Sequence, residues 1–248
     1  MHLKLDLVIT MPTYNEGDQI VSYTADIALN FSDISFVLVV VDDSSTDGSC
    51  DLLEVIRNQI PIDCVRNQDN VGHGPSTLRG LAQSLMHNPV AVLAIDGDGD
   101  VSGQELRKFY MNAKLSGQQI VEGVRTRRFD PFFRVIVSAL SRSTLRLLGA
   151  GKLRDANTPV RFYSRDALEV LLEQIPRNST IPNLMFSLLT RRMGISVCEI
   201  KVIYQVRVRQ LQGTMWRAQF KSLPSLKFVK FCIKAMFEII RFRFSLKK

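Results

Sequence analysis

The sequence has little cysteine, and its four thiols are spread along the chain. Cys50, Cys64, Cys198 and Cys232 form no CxxC pair. The spacing of a zinc knuckle is therefore missing, and so is the dense cysteine pattern of a small disulfide-stabilised domain. We expect a protein of a reducing cytosol.

Long uncharged apolar runs are also missing. A membrane-spanning helix needs about 18 nearly uncharged apolar residues, and the two best candidates, residues 132–148 and 226–244, contain three and six charged side chains. The N-terminus has no basic segment followed by a long apolar run and a small-residue cleavage site. We expect neither a transmembrane helix nor a signal peptide.

The composition is that of a globular protein, but its charge is divided unevenly. Of 248 residues, 46% are hydrophobic and 23% are charged, which excludes a disordered tail or a collagen-like fibre. The formal net charge of +8 combines −10 over residues 1–124 with +18 over residues 125–248. The division predicts an acidic part that holds a metal or cationic group, and a basic part that faces phosphates, nucleic acid or a membrane surface.

Short apolar runs alternate with helical patterns in the first half, which predicts a parallel sheet covered by helices on both faces. The predicted strands are residues 5–10, 36–41, 62–65, 91–95 and 119–123, with helices after Gly17, Thr46, Pro75 and Ser102. In the second half we predict helices over 132–148, 165–174 and 183–193 and strands over 160–163 and 197–205. From Phe220 onward, apolar and basic residues recur with helical spacing, which predicts an amphipathic basic helix.

Three carboxylates follow the fourth predicted strand, where ligands bind in sheets of this kind. Asp96, Asp98 and Asp100 repel one another unless a cation lies among them, and Mg2+ and Mn2+ take carboxylate and phosphate oxygens. An EF-hand loop is excluded because Val101 and Arg107 stand where it needs glycine and glutamate. The remaining alternative is an acidic turn that caps the next helix, but capping needs only one carboxylate. The cluster therefore predicts a metal site.

Two further polar segments follow other strands. Asp42 and Asp43 end the second strand, where they hold a ligand or belong to a capping turn before the next helix. The glycine-rich turn 70–75 either exposes backbone N–H groups to phosphate or makes a tight turn. His73 has no partner at metal-ligand spacing, so we predict a contact residue.

Four segments in this order resemble glycosyltransferase family 2. They are VITMPTYNE at 8–16, VVVDDSSTDGS at 39–49, the Asn-x-Gly turn at Asn70 and Gly72, and the Asp-x-Asp at Asp96 and Asp98. Further segments resemble the polyprenol-phosphate sugar transferase branch, of the dolichol-phosphate mannose synthase type: EGVR at 122–125, RDANTPVR at 154–161, and Glu199-Ile200 with Arg209 and Gly213. The resemblance covers roughly residues 5–215.

The resemblance implies an α/β GT-A fold, with a Rossmann-like, mostly parallel sheet flanked by helices; the C-terminal amphipathic basic helices are predicted from their residue spacing and lie outside the resemblance. The resemblance also implies inverting transfer of a sugar from a UDP- or GDP-sugar, with Mg2+ or Mn2+ on the diphosphate. The residues carried over for substrate binding are Pro12, Tyr14, Glu16, Asp42 or Asp43, Asn70, Gly72, Asp96 and Asn157, beside the contact residue His73, and those for the metal are Asp98 and Asp100. We expect a nucleotide-sugar and metal half at 1–124, an acceptor half at 125–215 and a tail at 216–248.

Arginines of the basic half supplement the metal through bidentate contacts with phosphate. The candidates are Arg125, Arg161, Arg207 and Arg209, of which the first two stand out by motif; each has a surface salt bridge as its alternative role. A lipid monophosphate acceptor is already ionised near neutral pH and needs no strong base. A hydroxyl acceptor needs one, and Asp155 is the candidate.

The tail suits an anionic membrane surface. Residues 207–248 contain 11 Lys or Arg and one acid, and a phenylalanine-rich stripe is typical of a helix lying in a lipid interface. We predict that residues 217–248 bind the membrane, which places the protein in the cytoplasm, peripheral on the inner face, with polyprenyl phosphate as acceptor. The alternative is that the stripe packs against the protein body or a partner subunit.

Two competing functions remain. One is a glycosyltransferase with a saccharide or protein hydroxyl acceptor, and the other is a non-catalytic membrane-associated protein with the same fold. Nucleic-acid binding is not expected, because the basic region contains no recognisable RNA-binding module and its aromatic residues form a helical stripe.

Overall fold

The structure, a computed structural model, describes residues 5–126, 132–204 and 226–246. The strands are β1 (Leu5–Thr13), β2 (Phe36–Asp42), β3 (Ile62–Arg66), β4 (Pro89–Ala94), β5 (Ile120–Thr126), β6 (Arg161–Ser164) and β7 (Val197–Ile203). The helices are α1 (Asp18–Asn30), α2 (Ser49–Ile56), α3 (His73–Met86), α4 (Gly103–Ser116), α5 (Phe132–Leu145), α6 (Arg165–Gln174), α7 (Pro182–Arg192) and α8 (Leu226–Ser245). A π-helical turn, Arg146–Ala150, follows α5.

The strands form one seven-stranded sheet in the order β3-β2-β1-β4-β6-β5-β7. Its pairs are parallel except those made by β6, which runs antiparallel to both β4 and β5. The mostly parallel sheet is therefore confirmed, but β5 does not continue the first-half sheet directly. The chain returns through α5 and enters the sheet from the opposite end, and β6 thus separates β4 from β5.

Helices cover both faces of the sheet, because alternate residues of each strand point to opposite sides. On one face, Leu7 and Ile9 of β1 belong to the same core as Ile27 of α1 and Leu106 of α4. On the other face, Val92 of β4 lies in a core shared with α3, α6 and α7. Apolar residues on both faces of the central strands are thus explained by burial on both sides.

Most predicted boundaries agree with the structure to within a few residues. The helix predicted after Ser102 begins at Gly103, and Ser102 caps it by accepting a hydrogen bond from Glu105 N at 3.3 Å. The helix expected after Pro75 begins earlier, at His73, because proline is tolerated in a first turn whose N–H groups need no helical partner. The helix expected after Thr46 begins later, at Ser49.

The C-terminal helix α8 packs against the body of the protein. Ile239 and Phe242 are buried in the core on the α7 side of the sheet. The Glu238 carboxylate accepts hydrogen bonds from Ser179 Oγ at 2.7 Å, Thr180 N at 2.9 Å and Thr180 Oγ1 at 2.5 Å. The predicted amphipathic helix is confirmed, and its inner face belongs to the same core as α6 and α7.

Among the described residues, the structure contains no helix that is both long and apolar enough to cross a bilayer.

Candidate active site

The loops that follow β1 and β2 are joined at the carboxyl edge of the sheet. Thr13 pairs with Asp42 at the ends of the two strands. Beyond them, Asn15 N donates to Ser45 Oγ at 3.0 Å, and Asn15 Oδ1 accepts from Thr46 N at 2.8 Å. Asn15 has a φ of 54°, a left-handed conformation that asparagine adopts more readily than most residues. The two predicted nucleoside-binding segments therefore form one wall.

A second set of contacts fixes the outer part of this wall. Gly17 N donates to Asp47 Oδ2 at 2.7 Å and to Ser49 Oγ at 3.0 Å. Burial by itself raises the pKa of Asp47, but hydrogen bonds from Ser49 and Gly17 outweigh it and lower the pKa overall. Asp47 is thus held as a carboxylate that orders the loop.

The two adjacent aspartates, Asp42 and Asp43, have different surroundings. Asp43 accepts hydrogen bonds on both oxygens, from Asn67 Nδ2 at 2.7 Å, Val71 N at 3.0 Å and Gly72 N at 2.8 Å. Asp42 is fully buried; its Oδ1 accepts from Ser45 N at 3.0 Å, and its Oδ2 lies 3.4 Å from Arg66 Nε in an ion pair. Asp43 therefore shapes the neighbouring turn, and Asp42 is held between the following loop and Arg66.

The turn at Asn70 and Gly72 leads into α3 and places His73 beside the acidic cluster. His73 Nε2 lies 3.5 Å from Asp96 Oδ1. Gly74 packs so closely against the backbone of Thr180 that a Cβ there would overlap it. Asn70 itself is exposed. The turn thus adjoins the acidic cluster after β4.

Asp96, Asp98 and Asp100 follow β4 directly. Asp98 Oδ1 accepts a hydrogen bond from Asp100 N at 3.1 Å, which closes a tight turn. Burial raises the pKa of Asp96 to about 6, His73 opposes that shift, and Asp98 adds to it. Within residues 5–126, 132–204 and 226–246, no group of three carboxylate, histidine or cysteine side chains converges as a complete metal cage.

Tyr204, which follows β7, contacts this turn and was not found by sequence reasoning. Burial, and then the negative charges of Asp98 and Asp100, raise the pKa of its phenol, which is hydrogen-bonded to Asp100. The Arg125 guanidinium lies 5.9 Å from the centre of the Tyr204 ring. Tyr204 therefore connects the acidic turn to the basic half. Only the alignment of β7 beside β5 brings it there.

Arg125 and Asp155 form a bidentate pair. Arg125 Nε donates to Asp155 Oδ2 at 2.7 Å, and Arg125 Nη2 donates to Asp155 Oδ1 at 3.0 Å and to the carbonyl of Asn157 at 2.9 Å. Burial opposes the charged form of Arg125, but Asp155 outweighs it and raises the pKa of the guanidinium. The segment 155–157 is thus fastened to β5.

Arg161, predicted as a phosphate contact, does not reach the open cleft. It is 2% exposed, and its guanidinium donates to Glu122 Oε1 at 2.7 Å and to Ser187 Oγ at 2.8 Å. Arg191 Nη2 donates to the other Glu122 oxygen at 2.7 Å. A buried carboxylate between two arginines explains this placement, because Glu122 and Arg161 are paired neighbours on β5 and β6.

A cavity of about 400 Å3 opens beside Arg125. Among the described residues, four arginines contribute to its wall, and the sequence motifs singled out only Arg125 as a phosphate contact. Arg142 and Arg146 could have been recognised from their spacing, because residues four apart lie on the same side of a helix. The lining residues are Val124, Arg125, Arg142, Arg146, Leu153, Arg154 and Asp155.

The other predicted residues differ in exposure. Pro12 is buried near the end of β1; in the loop after β1, Tyr14 is exposed and Glu16 is half-buried. Asn157 is exposed next to Asp155. Arg207 and Arg209 lie outside the described residues.

Residues 8–172 match the family model for glycosyl transferase family 2. The chain belongs to glycosyltransferase family 2. The match spans the acidic turn, Arg125 and Asp155, so the resemblance predicted from the motifs is confirmed.

Relatives of this family 2 chain agree with the polyprenol-phosphate branch. The undecaprenyl-phosphate 4-deoxy-4-formamido-L-arabinose transferase of Pseudomonas paraeruginosa is 26% identical over 208 residues, which cover 82% of this chain and 59% of that protein. The chain thus spans about three fifths of the length of that relative. The UDP-N-acetylglucosamine–dolichyl-phosphate N-acetylglucosaminyltransferase of Methanococcus voltae is 22% identical, covering 90% of this chain and 96% of the relative.

Solved glycosyltransferase structures share the GT-A fold of this family 2 chain. Glucosyl-3-phosphoglycerate synthase of Mycobacterium tuberculosis, in complex with Mn2+, UDP and glucosyl-3-phosphoglycerate, superposes with a TM-score of 0.66 at 17% identity and covers 98% of this chain and 82% of its own. A mannosyltransferase of Pyrobaculum calidifontis with GDP-Man and Mn2+ has a TM-score of 0.55 at 18% identity, covering 87% and 61%. The predicted α/β GT-A fold is therefore confirmed.

Proposed function

We propose that the protein is an inverting glycosyltransferase that moves a sugar from a UDP- or GDP-sugar to polyprenyl phosphate, with Mg2+ or Mn2+. One observation carries the proposal: Arg125 lies between the carboxylate turn after β4 and the arginine-lined cavity. The donor diphosphate would lie at the acidic turn with its metal, and the acceptor monophosphate would lie in the adjacent arginine-lined cavity.

The donor nucleoside lies against the wall formed by the loops after β1 and β2. Asp42 or Asp43 contacts the nucleoside in this proposal, since both lie in this wall; Asp42 is buried and paired with Arg66 at 3.4 Å. Asp43 orients the Asn70–Gly72 turn, and Tyr14 and Glu16 border the same wall. Asp96, beside His73, faces the ribose and diphosphate.

The acidic turn fits a divalent cation that is shared with the donor. Asp98 and Asp100 offer carboxylate oxygens, and Mg2+ and Mn2+ commonly complete their coordination with water and substrate phosphate oxygens. When bound, the metal neutralises charge on the diphosphate leaving group.

The arginine-lined cavity takes the acceptor phosphate. Arg125, Arg142, Arg146 and Arg154 surround it, and guanidinium groups bind phosphate through paired N–H donors. Exposed apolar residues Ile136, Leu140 and Leu147 belong to the same helical segment as Arg142 and Arg146. A lipid phosphate matches a charged cavity beside exposed apolar side chains.

The pair between Arg125 and Asp155 favours a phosphate acceptor over a hydroxyl acceptor. Both Asp155 oxygens accept from the Arg125 guanidinium, and a carboxylate held in this way is a poor proton acceptor. A phosphate oxygen is already ionised and can attack the sugar without a base. Asp155 then positions Arg125, and Arg161 supports the site from within the core through Glu122.

The outer face of α8 contacts anionic lipid in this proposal. Ile233 and Phe237 are exposed beside Lys230 and Lys234, while Glu238 fastens the opposite face to the body. This combination is typical of a helix in a lipid interface. The protein would then lie peripherally on the cytoplasmic face of the membrane.

A donor screen tests the proposal. The full chain is incubated with radiolabelled UDP- and GDP-sugars, polyprenyl phosphate and Mn2+ or Mg2+, and the label in the lipid phase is counted. We expect lipid-soluble product that depends on metal and disappears with a chelator. Transfer to soluble glycans, without any lipid product, would favour a hydroxyl acceptor instead.

A further inference from the structure

Two of the four cysteines touch in the folded protein, although their spacing in the sequence suggested no pairing. Cys50 is in α2 and Cys64 is in β3, and their sulfur atoms lie 3.2 Å apart. Both thiols are half-buried, so neither is sealed from small solutes.

Regular structure holds each thiol in place. Cys64 pairs with Val40 in the register between β2 and β3, and it packs against the core that contains Leu53 of α2. The thiols meet because one face of α2 packs against β3, and no flexible loop has to close for them to approach each other. The 3.2 Å between the sulfur atoms is longer than the roughly 2 Å of a disulfide bond, so bond formation draws the two side chains closer together.

We infer that Cys50 and Cys64 form a reversible disulfide site, which joins α2 to β3 when a low-molecular-weight disulfide oxidises it. Such bonds in reducing compartments are usually transient and redox-sensing. The inference does not depend on the proposed sugar transfer.

The chemistry is thiol–disulfide exchange in two steps. The Cys50 sulfur, as thiolate, attacks one sulfur of oxidised glutathione; a mixed disulfide forms, the glutathione S–S bond breaks, and the departing thiolate takes up a proton. The deprotonated Cys64 sulfur then attacks the Cys50 sulfur and displaces the second glutathione, which also leaves as a thiol. Two protein thiols are oxidised, and one glutathione disulfide is reduced to two thiols.

The two thiols influence each other. Burial raises the pKa of the Cys64 thiol, and the neighbouring Cys50 raises it further. Attack by either thiolate on the external disulfide leads to the same 50–64 bond, because the other sulfur is in contact and resolves the mixed disulfide.

The bond would act on the donor side of the protein. Cys50 follows Ser49, whose hydroxyl donates to Asp47 Oδ1 at 2.5 Å and accepts from Gly17 N at 3.0 Å. A disulfide at Cys50 thus fixes the start of α2 next to the contacts that order the β1 and β2 loops.

Peptide mapping tests the site directly. The full chain is incubated with oxidised glutathione, the remaining thiols are blocked, and trypsin is applied without reductant. Trypsin cleaves after Arg57, between the two cysteines, and after Arg66. We expect the 58–66 peptide to be linked to the peptide that contains Cys50, with the loss of two hydrogen atoms, and dithiothreitol to release it.

Variants make the test specific. Cys64→Ser should stop at a glutathione adduct on Cys50, whereas Cys198→Ser should form the 50–64 bond like the wild type. Stable glutathione adducts on the wild-type chain without a 50–64 linkage would overturn the inference, and so would linkages that are only intermolecular. The wild-type map decides the question even where a variant folds poorly.

Discussion

Arg125 and Asp155 face each other through two hydrogen bonds, of 2.7 Å from Nε to Oδ2 and 3.0 Å from Nη2 to Oδ1. The pair fastens the segment after the π-helical turn to β5; the guanidinium lines the cavity and interacts electrostatically with Asp96 of the acidic turn. In the proposed function, this geometry places one positive charge between the two phosphate-bearing substrates.

Replacing Arg125 with lysine tests the bidentate contact between Arg125 and Asp155. Arg125→Lys keeps the charge but loses the forked geometry, so we expect kcat/KM for polyprenyl phosphate to fall by about tenfold or more. Steady-state transfer kinetics measure the change. Arg57→Lys, at an exposed surface ion pair with Glu54, is the matched control; equal effects of the two variants would contradict the role of Arg125.

The cavity arginines should affect the acceptor and leave the donor unaffected. We expect Arg142→Gln combined with Arg146→Gln to raise KM for polyprenyl phosphate about a hundredfold or more, because each lost charge-assisted hydrogen bond contributes roughly 1.5–3 kcal/mol and about 1.4 kcal/mol corresponds to a factor of ten. Nucleotide affinity, measured by calorimetry with UDP and GDP, should stay unchanged. An unchanged acceptor KM would place the acceptor phosphate elsewhere.

Glu122 should govern acid stability. Burial by itself raises its pKa, but Arg161 and Arg191 outweigh it and lower the folded-state pKa below the ordinary value of 4.5. Ionised Glu122 therefore stabilises the fold above pH 4.5, and that stabilisation is lost as the pH falls through the lowered pKa. We expect Glu122→Gln to cost about 3–5 kcal/mol at pH 7.

Urea unfolding measured between pH 3 and 7 checks this expectation. As the pH falls from 7 to 3, the unfolding free energy of the Glu122→Gln variant should decrease less than that of the wild type. Glu54→Gln, at an exposed carboxylate, should follow the wild-type curve. A Glu122→Gln curve parallel to that of the wild type would show that the buried pair does not determine acid stability.

The exposed face of α8 should determine liposome binding. Deleting the tail is a poor test, because Ile239 and Phe242 belong to the core. We expect Phe237→Glu to reduce pelleting with anionic liposomes severalfold. The substitution removes apolar area that the lipid would bury, and the added carboxylate is repelled by anionic headgroups. Leu29→Glu on α1 is the matched control, because Leu29 is 76% exposed and Phe237 is 70% exposed. Undiminished pelleting of Phe237→Glu would reject the lipid-facing role.

Much of the fold could be predicted from the sequence, because its signals are local. The apolar run before Asp96 and the cap at Ser102 depend on neighbouring residues only, and both agree with the structure. The antiparallel placement of β6 could not be predicted, because it depends on where a long connection re-enters the sheet. Local patterns do not contain that information.

The sequence predicted that polar residues at the strand ends form the site, but it did not predict which of them are free to face the cleft and which hold the structure together. Asp42 and Asp43 differ only through the loops that converge on them. The motif located Arg161, but its burial follows from the pairing of β5 with β6, which brings it to Glu122. The contribution of Arg146 to the cavity required α5 and the following turn to pack beside residues 153–155.

Sugar transfer by Asp98→Ala, compared with the wild type, tests the central claim most directly. Radiolabelled donor, polyprenyl phosphate and Mn2+ are supplied to both, and Asp51→Ala, exposed on α2, serves as control. The account predicts lipid-soluble label from the wild type and from Asp51→Ala, and none above background from Asp98→Ala, with all three chains equally folded by circular dichroism. Undiminished transfer by Asp98→Ala would contradict it.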